Sequence, residues 1–207
     1  MKQRDPEWFK ARCGKVTASR ISDVMATLRS GGEAASRRNY RAQLVAERLT
    51  GVPAESYSSP AMQWGVENEP LARAAYEVHG GVFTDEVGFV PHPTIENTGA
   101  SPDGLVGADG LVELKCPNTA THIDYLLSNA IPTEYQLQML WQMECTGREW
   151  CDFVSFDPRL PEELQLLVIR FRRDEGQIEV IRREVVKFLQ EVQQMVANLE
   201  KLKGGRR

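Results

Sequence analysis

Between Gly104 and Lys115 the chain reads GLVGADGLVELK, two apolar segments joined by Gly-Ala-Asp-Gly. Glycine and aspartate at so short a connection specify a tight hairpin. Successive side chains of a strand point to opposite faces, so Val112 and Leu114 share one face and Glu113 and Lys115 the other. With the turn centred on Gly107–Gly110, Asp103 falls roughly opposite Glu113 and Leu114. A hairpin this apolar requires a core to cover it, yet it carries three charges of kinds that strands usually lack.

The flanking sequence supplies that core. Residues 5–27 read as two short helices, the second capped by Thr17 or Ser19 with Ile21, Val24, Met25 and Leu28 at helical spacing. A helix follows from Ser36 to Leu49, and another over AMQWGVENEPLARAAYEVHGG, where Pro70 is expected to kink it or divide it in two. The period then changes. GVFTDEVGFVPHP reads as a strand, followed by the hairpin and by helices over TATHIDYLLSN and IPTEYQLQMLWQMECTG. EWCDFVSFDP and ELQLLVIRFRR read as two neighbouring strands. Ile178, Ile181, Val185, Phe188, Val192, Met195, Leu199 and Leu202 recur at alternating intervals of three and four, the narrow apolar stripe of a long helix. That helix is expected either to lie across the domain or to make a coiled-coil or subunit contact. The expected architecture is one α/β domain over 1–207: a helical part (1–80), a sheet core (81–172) of central mixed sheet flanked by helices, and a long C-terminal helix (174–203).

Charge and composition exclude some roles. No apolar run approaches the ~18 residues of a membrane span, so no membrane partner is expected. The N-terminal MKQRDPEWFK is too polar for a secretory signal. A cytoplasmic location follows as an expectation, with Cys13, Cys116, Cys145 and Cys151 as free thiols. His79, His92 and His122 lie on unrelated segments without ligand spacing. Net charge is −4, yet residues 1–48 hold eleven Lys/Arg and five Asp/Glu. That asymmetry points either to a basic face or to a solvated helix surface.

Two carboxylates facing each other on a hairpin repel unless a proton or cation joins them. Hard oxygen donors suit Mg²⁺, or alternatively Mn²⁺, and the Leu114 backbone carbonyl can complete the set with Asp103 and Glu113. A metal so held activates water and offsets charge on a phosphodiester, while Lys115 orients or helps deprotonate that water. The bland alternative is a surface hairpin with Asp103 as a turn residue.

Pro102-Asp103 and Glu113-Leu114-Lys115 resemble the signature of the PD-(D/E)XK (restriction-endonuclease-like) nucleases. Such nucleases often carry a helical glutamate, here Glu69 with Glu67 as rival, and a later helical glutamine, here Gln138 beside Tyr135. RCGKVTAS, MQWGVENEPLARAAYE, GASPDGLVGADGLVELKCP and FVSFDPRL, in that order, resemble the phage lambda exonuclease family, also called YqaJ-like viral recombinases. The resemblance implies a Mg²⁺-dependent 5′-to-3′ exonuclease that digests one strand of linear double-stranded DNA. It also implies 3′ overhangs, a homotrimeric ring and a single-strand annealing protein as partner. By motif, Asp103, Glu113 and the Leu114 carbonyl would hold metal and Lys115 would be catalytic. Glu69 would support a second metal or the attacking water, with Gln138 beside the site. Arg12, Ser19 and Ser101 would hold the 5′-phosphate, and Arg29 would engage DNA ahead of it. The alternatives are an endonuclease or repair nuclease of the same core, or an inactive DNA-binding scaffold.

Overall fold

A computed structural model describes residues 2–28, 31–54 and 59–204. The first part holds α1 (Pro6–Arg12), β1 (Val16–Thr17), a 3-10 turn (Ala18–Arg20), α2 (Ile21–Met25), α3 (Ala35–Thr50) and α4 (Pro60–Gly80). Neither expected cap of α2 forms. Thr17 opens the 3-10 turn without a side-chain bond, and α2 begins one turn later behind Arg20. Pro70 neither breaks nor divides α4, which runs as one helix from its cap at Ser59. The amide missing at Pro70 leaves the Val66 carbonyl without a helical partner, and Val66 lies on the exposed side of the helix, within reach of solvent.

The strands are β2 (Thr84–Asp85), β3 (Val90–Pro91), β4 (Thr98–Ala100), β5 (Gly104–Val106), β6 (Gly110–Lys115), β7 (Trp150–Phe156) and β8 (Leu166–Arg172). Between β6 and β7 lie α5 (Thr119–Ser128) and α6 (Thr133–Thr146), and α7 (Glu175–Gly204) follows β8. The single strand expected over GVFTDEVGFVPHP is instead two short ones in different sheets. β2 edges a five-stranded sheet of order β2-β5-β6-β7-β8, and β3 edges a three-stranded sheet of order β1-β4-β3. Gly88 interrupts the run, and Pro91, lacking an amide, is tolerated because β3 is an edge. Both sheets are mixed, with β6–β7 and β1–β4 parallel and the other pairs antiparallel.

The hairpin forms in the expected register, with Gly104 opposite Val112 and Val106 opposite Gly110. Gly107 turns the corner at φ 53°. At Gly110 a Cβ would sit 2.1 Å from the Trp150 ring, so glycine is required there for a second reason. β6 is the middle strand of its sheet, and Leu111, Val112, Glu113 and Leu114 are all buried. Ala72 and Tyr76 of α4 cover one face with Val112, Leu114, Val154 and Phe156. The other face, with Leu111, Cys151 and Phe153, packs into a larger core built from α2, α3, α6 and α7.

The C-terminal stripe behaves in two ways. Ile178, Ile181, Val185, Phe188 and Val192 are at most 1% exposed, so this length of α7 lies across the core. Beyond it Val196 is buried in place of Met195, and Leu199 and Leu202 are exposed. α7 is pinned to α3 by Arg37, which donates to both oxygens of Glu191 at 2.7 and 3.0 Å, while Arg41 shares Glu191 and Glu33. These pairs, with Arg20–Asp23 and Arg4–Glu69, neutralise several cations of the basic N-terminal quarter. Much of that charge is therefore structural, and the cations without an acidic partner among the described residues include Arg12 and Lys15.

Candidate active site

The small sheet hands over to the large one through three residues, Ser101-Pro102-Asp103, between the end of β4 and the start of β5. Asp103 precedes the first ladder pair and so stands opposite Glu113. Its Oδ2 accepts the Leu114 amide at 2.7 Å, which fastens the carboxylate to β6. Glu113 is 2% exposed, and both of its oxygens are engaged. Oε1 accepts from Lys115 Nζ at 2.5 Å and Gln138 Nε2 at 2.6 Å, and Oε2 accepts from Gln142 Nε2 at 2.6 Å. Gln138 and Gln142 are one helical turn apart on α6, so one helix face holds both oxygens. The Lys115 ammonium also sits over the Tyr135 ring, 4.6 Å from its centroid.

Glu69 reaches the same cluster from α4 on the other side of the sheet. Its Oε2 pairs with Arg4 Nη2 at 2.5 Å and its Oε1 with Arg73 Nη2 at 3.5 Å. Its rival Glu67 is exposed and, among the described residues, hydrogen-bonds to Gln63, whereas Glu69 lies close enough to act on the Asp103 carboxyl. Burial, then the charges of Glu113 and Glu69, push the Asp103 carboxyl well above the usual carboxylate range. Burial opposes the Lys115 ammonium, but Glu113 and Asp103 outweigh it and raise its pKa above an ordinary lysine's.

Arg4 and Arg73 are taken up by Glu69, so Asp103 and Glu113 share Lys115 as their nearby cation, and their donors are hard oxygens. That suits a divalent cation taking Asp103, Glu113 and the Leu114 carbonyl. No three His, Cys, Asp or Glu side chains among the described residues surround one metal position, so water and substrate oxygens would have to complete the coordination.

A second feature lies beside the carboxylates. Arg12 Nη1 donates to Ser101 Oγ at 3.2 Å, and Trp8 Nε1 donates to the same oxygen at 3.0 Å. The Arg12 guanidinium lies over the Trp8 ring, 4.0 Å from its centroid. It lines a cavity of about 360 Å³ that Ser19 and Lys15 also line. Burial pushes the Arg12 pKa down to about 10, which leaves it charged at neutral pH. The structure therefore brings Arg12 onto Ser101, two residues from Asp103, and sets Ser19 in the cavity that Arg12 lines, while Ser101 itself is not among the residues lining that cavity. Arg29 lies outside the described residues. Sequence reasoning missed Gln142, Trp8 and Arg4. Gln142 repeats Gln138 one turn on, a signal that was present in the helical spacing, whereas Trp8 and Arg4 depend on partners more than sixty residues away.

A carboxylate pair and lysine gathered at the central strand of a mixed sheet, flanked by a glutamate helix and a glutamine helix, is the layout of the PD-(D/E)XK nucleases. Residues 7–149 match the family model described as the YqaJ-like viral recombinase domain. An alkaline exonuclease from Laribacter hongkongensis, LHK-Exo, is 48% identical, and its crystal structure covers 98% of this chain and 100% of its own with a TM-score of 0.92. LHK-Exo in complex with dAMP is 49% identical over the same shares, with a TM-score of 0.92. A phage-related exonuclease from Haemophilus somnus 129PT shares the fold at 17% identity, covering 89% of this chain and 96% of its own, with a TM-score of 0.73. A comparison with curated proteins finds no match. The chain belongs to the YqaJ-like viral recombinase family, the lambda exonuclease group of these nucleases. Among the described residues no helix is long and apolar enough to cross a membrane.

Proposed function

We propose that this chain is a Mg²⁺-dependent 5′-to-3′ exonuclease that digests one strand of linear double-stranded DNA and leaves a 3′ single strand for recombination by annealing. The observation that carries the proposal is adjacency: Arg12 grips Ser101, and Ser101 lies two residues from Asp103. An end held by the first pair lies beside the carboxylates and Lys115.

The side chains divide the work. Arg12 has no acidic partner among the described residues, and a phosphate offers its guanidinium two oxygens at once. Ser101 Oγ already accepts two hydrogen bonds, so its own hydrogen is free to be donated to an anion. Ser19 adds its hydroxyl to the cavity that Arg12 lines, and Arg29 is assigned to DNA ahead of it. Glu113 is held by its three donors as an oriented acceptor, and Lys115 offsets charge on the phosphate under attack. Mg²⁺ (Mn²⁺ as substitute), held by Asp103, Glu113 and the Leu114 carbonyl with Glu69 serving a second ion or its water, would supply a more acidic water and neutralise phosphate charge. LHK-Exo has been crystallised with dAMP, a mononucleotide of the kind that stepwise digestion releases. Residues 1–207 act as one nuclease domain in this reading, assembled as a homotrimeric ring around DNA and working with a single-strand annealing protein.

The test is digestion of end-labelled linear duplex in Mg²⁺, with and without a 5′-phosphate. We expect processive loss of the 5′-phosphorylated strand, slower loss of the unphosphorylated one, and intact closed circles. Circles cut as fast as linear ends would overturn the exonuclease assignment. Light scattering should give three times the chain mass.

Trp8 provides a finer test of end recognition. Trp8→Leu removes the donor to Ser101 and the ring under Arg12. The preference for 5′-phosphorylated over unphosphorylated ends should fall by about tenfold, on the order of one hydrogen bond. An unchanged preference would mean that Arg12 and Ser101 do not need this support.

A further inference from the structure

The mechanism above counts Gln142 only as one of three donors to Glu113, although it is more deeply buried than Gln138, at 0% exposure. We infer that Gln142 is a positioning residue that fixes the Glu113 carboxylate for the divalent ion. The inference rests on the reading of Asp103 and Glu113 as metal ligands.

A glutamate at the middle of a sheet can rotate about its last side-chain bond, since that torsion is broad. Gln138 and Lys115 both act on Oε1 and would leave Oε2 free to swing about that anchor. Gln142 Nε2, 2.6 Å from Oε2, is the only hydrogen-bond donor to that oxygen among the described residues. Two amides on one helix, each on a different oxygen, define the plane of the carboxylate. Gln142 is itself held in place. Its Oε1 lies 4.0 Å from the Cys151 thiol, its backbone carbonyl accepts the Thr146 hydroxyl at 2.7 Å, and its neighbours Trp141 and Met143 are fully buried. A helix-borne amide with no solvent exposure cannot exchange this bond for one to water, so it acts as a fixed strut. Groups that orient metal ligands in this way typically change affinity by roughly 10- to 100-fold when removed.

The experiment titrates Mn²⁺ into the full chain by calorimetry, without DNA. Gln142→Met keeps length and burial but deletes the donor, and Gln142→Asn keeps the amide but shortens its reach. In folded protein we expect both to weaken Mn²⁺ by roughly 10- to 100-fold. They should also broaden the Mn²⁺ electron paramagnetic resonance spectrum, a change that altered packing alone would not cause. Unchanged Mn²⁺ affinity in either folded variant overturns the inference. So does failure of both to fold, which would make the role of Gln142 architectural. Glu113→Gln and Asp103→Asn are titrated alongside. If these two still bind Mn²⁺ normally, the ligand reading itself has failed; if they lose it while Gln142→Met does not, only the role of Gln142 has.

Discussion

Lys115→Ala should lower the rate of duplex digestion by at least about 10³-fold, in line with removal of a charged group aimed at a transition state in a water-poor site. DNA binding, measured by filter retention in Ca²⁺, should stay within about threefold, because duplex affinity is set by many phosphate contacts. The size of the effect follows from placement. The ammonium is 2.5 Å from Glu113 Oε1 and is held above an ordinary lysine's pKa by Glu113 and Asp103. It is thus a fixed positive charge beside the carboxylates, held between Glu113 and the Tyr135 ring. Lys115→Arg should not rescue, since a planar guanidinium cannot occupy the space over the Tyr135 ring with the same point charge. A variant that retains more than a tenth of wild-type turnover would show that Lys115 is a structural counter-ion only.

The largest effect on stability is expected at Trp141. It is completely buried, stacks on His92 with centroids 5.2 Å apart, and donates from Nε1 to Thr98 Oγ1 at 3.0 Å. Trp141→Ala removes an aromatic side chain from the centre of the core and leaves the Thr98 hydroxyl unpaired. The cost should be about 4 kcal/mol. For a chain of this size that corresponds to a fall in melting temperature of roughly 8–16 °C by circular dichroism. Thr98 begins β4, the strand that leads to Ser101 and Asp103, so end recognition should weaken before the fold is lost. A fall of under about 3 °C would mean that the surrounding core closes over the gap.

The hairpin was legible because its turn chemistry and strand period agree; together they placed Asp103 roughly opposite Glu113 and Leu114, and the ladder of the folded chain selects Glu113. The helix ends at Gly51, Gly81 and Gly147 were legible for the same reason: each has the left-handed backbone that glycine accepts. The misreadings arose where a local rule met a non-local partner. GVFTDEVGFVPHP has strand composition throughout, but its two halves pair with β5 and β4, and nothing local decides between them. Pro70 is a helix breaker by its local chemistry, but α4 runs unbroken across it, with Ala72 and Tyr76 packed on the sheet. The basic N-terminal quarter left a basic face and a solvated helix surface open, and neither reading anticipates Glu191, far away in sequence, which takes up Arg37 and Arg41. The grip of Trp8 and Arg12 on Ser101 spans about ninety residues. Family resemblance named Arg12 and Ser101, but composition gave no sign of Trp8.

The short passage from β4 to β5 carries one more meaning. Ser101 and Asp103 are separated by a single proline, whose ring fixes one of the two backbone torsions there. An extended chain advances about 3.3 Å per residue, so the two side chains are set at a nearly constant spacing by covalent geometry rather than by packing. Under the function proposed above, with an end held at the first and cleavage at the second, that passage acts as a gauge. It sets the distance from the held end to the bond under attack, and one residue inserted between them should misplace that bond while leaving every proposed catalytic side chain in the sequence.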